Sequence, residues 1–343
     1  SRIIKSDVNY TDDGTKRPQD EVGSALRPTA ICESFRIVQR LAPYLNPFSN
    51  TMNTPSSLNG TLVLDMTEAM AGPYASMMLG DLGADVIKIE RAGVGDSSRG
   101  WGPPFVNGES AYFLSTNRNK RSLTLNLKED AAKEIFHRLV QSSDVFLVNQ
   151  PRLASLQRLQ ADYDTLNALN PRLIYCSITG YGMTGPYAGR GGYDVVTQAE
   201  SGLMALTGEV DGSPMRYPSP ISDITAGVYA ALSIVTALYA REQTGKGQFI
   251  DTALLDSQLS WLTNIAGSYL ATGQRPPRLG NYHPTITPYE TFYAADKAFI
   301  IGVGTERLWG RFCDALAIKD TIGADRRYTT NADRMDHRPQ LHV

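Results

Sequence analysis

"LNGTLVLDMTEAMAGPYASMMLGDLGADVIKIE", Leu58 to Glu90, is the stretch from which the fold can be read. "TLVLDM" is a short apolar run bounded by Asn59-Gly60 and by Thr67, and it reads as a buried strand. "GPYASMMLGDLG" reads as a helix, with Pro73 near its start and Gly83 at its end. "DVIKIE" is a second strand. The unit is therefore strand, helix, strand, and the question is whether the chain repeats it.

It does. "SLTLNL" (122–127) reads as a third strand, followed by a helix over "EDAAKEIFHRLVQSS" (129–143). "DVFLVN" (144–149) is a fourth strand, with helical sequence to Asn170, and "LIYCSI" (173–178) is a fifth. Helical sequence resumes at "VVTQAESGLMALTG" (195–208), and a buried helix is expected from about Ile224 to Arg241. "QFIDTAL" (248–254) returns to the sheet and "DSQLSWLTNIAGSYLATG" (256–273) reads as one helix. Short apolar strands alternating with helices specify an α/β fold, a parallel sheet with helices on both faces. Ligands on such sheets sit beyond the carboxyl ends of the strands. Residues 67–73, 91–99, 149–158 and 180–194 are thus where function is expected.

Past residue 273 the composition changes. "GQRPPRLGNYHPTITPYE" is a Pro/Gly-rich connector, and a hairpin ("TFYA", "AFIIGV") and a helix (305–317) follow it. The preceding stretch, 1–57, is mixed in composition. One amphipathic helix is expected in it, around "CESFRIVQRLAPYL" (32–45), and neither an intact secretory signal nor a transit peptide is evident.

The 343 residues carry 42% hydrophobic and 20% charged side chains and a formal charge of −2, which gives no support to a bulk nucleic-acid or membrane-surface binder. No uninterrupted run of eighteen apolar residues occurs, so no membrane-crossing helix is expected. The three cysteines, Cys32, Cys176 and Cys313, form neither a zinc spacing nor a disulfide framework, and the four histidines are scattered. No metal site is expected.

"GYGMTGPYAGRGGYD" (180–194) matches G-x-G-x-x-G at its start. A dinucleotide turn needs its third glycine inside a helix, and Pro186, Gly189, Gly191 and Gly192 break any helix here. The glycines serve either a surface turn or a loop lying close over a ligand. Asp223, in "PISDITAG", is either an N-cap accepting the N–H of Thr225 or Ala226, or a carboxylate held ionised at a helix start and able to attack a carbonyl. Asp194 carries the same pair of readings, N-cap or second carboxyl. "NRNKRS" (117–122) is a turn whose cations are either solvated or meet phosphates. Arg91 and Arg99 flank the loop after the second strand, where an arginine can hold a phosphate. His283, alone in the connector, reads as structural.

Taken in order, "VLDMTEAMAGPYASMMLGDLGADVIKIERAGVGDSSRGWGPPF", "NRNKRSLTLNLK", "NPRLIYCSITGYGMTGPYAGRGGYD", "SGLMALTGE", "DITAGVYAALSIVTALYAREQTGKGQFID" and "DSQLSW" resemble the class III, formyl-CoA-type CoA-transferases over about Leu58 to Leu341. "RGWGPPFVNGESAYF" resembles the branch acting on dicarboxylates, the succinyl-CoA:glutarate or hydroxymethylglutarate enzymes. The resemblance implies a Rossmann-like large domain at 58–270, a linker at 271–285, and at 286–343 the start of a smaller α+β domain, incomplete where the chain ends. It further implies an interlocked homodimer, a mitochondrial or cytoplasmic setting, acyl-CoA and a small carboxylic acid as substrates, and no tightly bound cofactor. In the implied mechanism Asp223 is the nucleophile, forming an aspartyl anhydride and then an aspartyl-CoA thioester, and Asp194 assists. Arg91, Lys128, Asn149 and the Met70-Ala71-Gly72 turn are implied to contact CoA. A mobile glycine-containing loop over the nucleophile is best matched at 280–283. "NQPRLASLQRL" departs from the family pattern, lacking its glycine and aromatic, and Arg158 or Arg152 is the candidate CoA contact there. Two further readings stay open: an α-methylacyl-CoA racemase on the same fold, disfavoured because Tyr193 rather than His precedes Asp194, and an inactive CoA-binding partner subunit.

Overall fold

The computed structural model describes residues 56–341. The helix expected at 32–45 and most of the 1–57 extension lie outside them. Six parallel strands form the central sheet: β1 (Leu62–Met66), β2 (Asp85–Glu90), β3 (Lys120–Thr124), β4 (Val145–Val148), β5 (Ile174–Thr179) and β6 (Phe249–Ala253). Their order is β3-β2-β1-β4-β5-β6. The chain winds outward in one direction from β1 and in the other from β4, so a crevice opens where β1 and β4 lie side by side. β4 and β5 are buried along their whole length, as strands covered on both faces must be.

One face is covered by α1 (Ala71–Asp81), with helix α5 (Ile221–Thr244) beside it. Small residues bring these two helices together: a Cβ on Gly227 would lie 2.8 Å from the Ala71 carbonyl oxygen and 3.1 Å from the Tyr74 ring. Val63, Val86, Leu147 and Ile178 of the sheet complete this core with Ala230 and Ile234 of α5. The other face is covered by α2 (Asp130–Ser142) and α3 (Leu153–Leu159), whose Phe136, Val140 and Leu156 pack with Phe146 and Tyr175. A third cluster, Val303, Trp309, Cys313 and Tyr328, lies under the antiparallel hairpin Tyr289–Tyr293/Ala298–Gly302.

Three elements differ from the sequence reading. The third strand is 120–124, not 122–127, because Asn119 reverses the chain at φ +60° and pairing with β2 begins at once, Lys120 opposite Val86. The second half of "NRNKRS" is therefore strand, and its cations meet carboxylates: Arg118 with Asp81, Lys120 with Asp65 at 3.1 Å, Arg121 with Asp85. The helix expected at 256–273 is broken into α6 (Leu254–Leu259), a 3-10 turn and Thr263–Thr272. The long helix starts at Ile221 rather than Ile224 and runs to Thr244. Its length and apolar content would suffice to cross a bilayer, although no uninterrupted apolar run announces this, and its inner face is packed on α1 and the sheet.

Candidate active site

A cavity of about 840 Å³ opens at the carboxyl ends of the strands. Every post-strand segment singled out from sequence contributes to its wall, as does the start of α5. Met70, Ala71, Arg91, Lys128, Asn149, Asp194 and Asp223 all line it. Arg158 does not: it is exposed on α3 and donates to Ser155 Oγ at 3.1 Å. Arg152 is off the cavity as well, and from that segment Gln150 and Pro151 reach it instead.

The glycine-rich loop is no dinucleotide turn, since no helix begins until Asp194, at the head of α4 (Asp194–Glu200). Its glycines permit a close crossing. A Cβ on Gly192 would lie 2.5 Å from Gly180 Cα, and one on Gly180 would lie 2.6 Å from Gly192 Cα. The two ends of the loop thus touch backbone to backbone, and Gly180, Gly191 and Gly192 form part of the cavity wall.

Neither aspartate is the cap that local sequence suggested. Asp223 is the third residue of α5, after Pro220 at the N-cap position, and makes no capping bond. Asp194 does the capping from a different helix: its Oδ1 accepts the Ser222 N–H at 2.8 Å, and its Oδ2 accepts from Gln198 Nε2 at 2.7 Å. Asp223 is left with its carboxylate at the cavity and, among the described residues, no hydrogen-bond donor upon it. Burial, and then the neighbouring Asp194 anion, push Asp223 up to about 7. Burial, together with the Asp223, Asp194 and Asp96 carboxylates, pushes the Tyr112 phenol in the same wall up to about 12, so it keeps its proton.

The first turn after β1 is held from below. Lys88, on β2, is 2% exposed; its Nζ donates to the Thr67 carbonyl at 2.7 Å and pairs with Asp96 at 2.9 Å. Burial works to lower the Lys88 pKa, but Asp65 and Asp96 outweigh it and hold the ammonium charged. Burial likewise works to raise Asp65, and is outweighed by Lys88 and Lys120, which keep it far below the usual carboxylate range. Sequence reading missed Lys88 and Asp96, although a lysine between two isoleucines of a buried strand is itself a signal that a partner must exist.

Arg91 sits at the cavity mouth, where Glu68 holds it with two bonds, Nε to Oε1 at 2.9 Å and Nη2 to Oε2 at 3.0 Å. An anion entering there shares the guanidinium with Glu68. Arg99 is already engaged: Glu90 receives Nε and Nη2 at 2.7 Å each, and the guanidinium stacks on Phe113. Asn149 is tied to the Glu68 backbone on both sides. His283 accepts the Thr285 N–H and packs on Tyr289, and neither it nor Gly280 reaches the cavity.

Comparison with known proteins places the chain in a family. The family model of CoA-transferase family III matches residues 58–343. A succinate–glutarate CoA-transferase of Agrobacterium fabrum is 44% identical over 295 residues, 84% of this chain and 73% of that protein. A mouse succinyl-CoA:glutarate CoA-transferase is 44% identical over 284 residues, 83% of this chain and 65% of that protein. The crystal structure of a CAIB/BAIF family protein from Brucella suis superposes with a TM-score of 0.75 at 43% identity, covering 84% of this chain and 77% of that one. The chain thus spans about two thirds to three quarters of the length of these curated relatives.

Proposed function

The chain belongs to CoA-transferase family III, and from that premise we propose that it moves CoA from an acyl-CoA, succinyl-CoA for preference, to a dicarboxylic acid, with Asp223 as the nucleophile. The observation that carries this is the Asp223 carboxylate, facing an 840 Å³ cavity with no described donor upon it and a pKa near neutrality. A carboxylate stripped of donors keeps its lone pairs for a carbonyl.

Asp223 attacks the donor thioester carbonyl, and collapse of the tetrahedral adduct expels CoA thiolate and leaves an aspartyl–acyl anhydride. The thiolate attacks the aspartyl carbonyl, forming aspartyl-CoA and releasing the donor acid. The acceptor carboxylate attacks that thioester and regenerates thiolate and an anhydride. Thiolate attack on the acceptor acyl group gives the new acyl-CoA and frees Asp223. No net proton or electron is consumed. Each adduct carries an oxyanion, and the Gly191 and Gly192 backbone in the cavity wall offers N–H groups with no side chain to keep an oxyanion from them. Lys128 and the Arg91–Glu68 pair at the mouth suit the anionic end of CoA. The relatives named for succinate and glutarate support the choice of acids. The family resemblance and the apolar outer face of α5 support a homodimer.

Asp223→Asn keeps the side chain's size and removes the nucleophile. We expect it to abolish transfer from succinyl-CoA and the hydroxylamine-trappable intermediate while sparing CoA binding. A variant retaining more than a tenth of the activity would falsify the assignment.

A further inference from the structure

The turn Thr67–Ala69 lies between β1 and α1 and leads directly into the cavity-lining Met70 and Ala71. Ala69 stands at φ +69°, a left-handed conformation that L-residues other than glycine avoid. A backbone so bent persists only where its surroundings over-determine it. Here they do. The Thr67 N–H goes to Asp65 Oδ1 at 3.0 Å and the Thr67 carbonyl receives Lys88 Nζ at 2.7 Å. The Glu68 N–H goes to Asn149 Oδ1 at 3.1 Å and its carbonyl receives Asn149 Nδ2 at 2.8 Å. The Ala69 N–H goes to Asp96 Oδ1 at 3.2 Å. Five successive backbone groups are each bound by a side chain. Lys88 joins these anchors, since it holds the Thr67 carbonyl and Asp96 together and lies 3.9 Å from Asp65, the acceptor of the Thr67 N–H.

We propose that Lys88, buried beneath the cavity and out of ligand reach, is a positioning residue for acyl-CoA binding, clamping the Thr67–Ala69 turn in its left-handed bend through the Thr67 carbonyl and Asp96. Its charge serves the clamp by keeping Asp96 ionised and oriented towards the Ala69 N–H. Without it the turn relaxes towards ordinary φ, Met70 and Ala71 swing from the wall, and binding weakens. The loss is bounded by the population penalty for alanine in the left-handed region, a factor of about 5 to 30. Glycine carries no such penalty, so Ala69→Gly should rescue a turn that has lost its clamp. A lysine needed only for core stability offers no route to that rescue.

This inference rests on the cavity being an acyl-CoA site, so the test reads binding separately from turnover. CoA binding by calorimetry and transfer kinetics would be measured on the full chain for wild type, Lys88→Gln, Ala69→Gly and the double variant. Lys88→Met with Asp96→Asn serves as the second background, because it leaves no lone charge of the pair buried while Asp65 keeps Lys120. In either background the Kd and the acyl-CoA KM should rise about 5- to 30-fold with kcat within threefold, and Ala69→Gly should recover most of the loss. Unchanged binding in a folded variant, a rise that Ala69→Gly fails to recover, or failure of both backgrounds to fold each overturns the clamp. Wild type that does not bind CoA overturns instead the reading of the cavity.

Discussion

At Asp223, ionisation and reactivity are the same question, because only the carboxylate attacks. Burial and the Asp194 anion together set its pKa near 7, so kcat/KM should rise with pH through about 7. Asp194→Asn retains an oxygen for the Ser222 N–H but removes the charge, and the limb should move to lower pH; a pH–rate profile with an unmoved limb removes Asp194 from that role. Stability must follow the same titration. The folded-state pKa lies above the ordinary 3.8, so between about 3.8 and 7 the folded state binds more protons and its stability falls as pH rises. Above 7 the loss is complete, and below 3.8 it is absent. Asp223→Asn lacks this penalty, so its Tm gain over wild type should grow from pH 4 to pH 7 and then level off.

At the scale of elements, what could be read in the sequence was what depends on neighbours in the chain. β4 is an uninterrupted apolar run, VFLV, and β5, IYCSIT, is nearly one, and their positions followed from that pattern. What could not be read depends on partners far away. The true cap of α5 is Asp194, 28 residues back, so Asp223 looked locally like a cap and was not one. Lys120 reads as a solvated turn cation until Asp65, 55 residues earlier, is seen beside it. The glycine loop shows the same limit: its glycines were visible, but not that Gly180 and Gly192 press on each other. That contact predicts the effect of Gly192→Ala. The added Cβ would meet backbone at 2.5 Å, which cannot rotate away, so the loop neck must open and displace the wall beside Asp223. A fall in kcat/KM of at least tenfold is expected with the fold retained by circular dichroism, whereas wild-type kinetics in a folded variant would show the neck to be free of the site.

For the molecule as a whole, α5 connects the site to the surface. Its inner face, Ala226, Ala230, Ile234 and Ala237, is buried against α1 and the sheet. Its outer face is also apolar: Val228, Tyr229, Leu232 and Tyr239 are exposed, the last two by 58% and 70%. Tyr229 continues the surface across to the 3-10 turn after α6, bonding Ser260 at 2.8 Å beside the exposed Trp261. A helix apolar all round is one that expects cover on both sides. Under the homodimer proposed above, a second copy of the chain meets this face about a two-fold axis and supplies that cover with a self-complementary surface. Leu232→Glu with Tyr239→Glu places charges on this face and touches nothing in the core. Analytical ultracentrifugation should then show a dimer for wild type and a monomer for the double variant, with the far-ultraviolet spectrum unchanged. A monomeric wild type at tens of micromolar would mean that the outer face of α5 is covered by something other than its own kind.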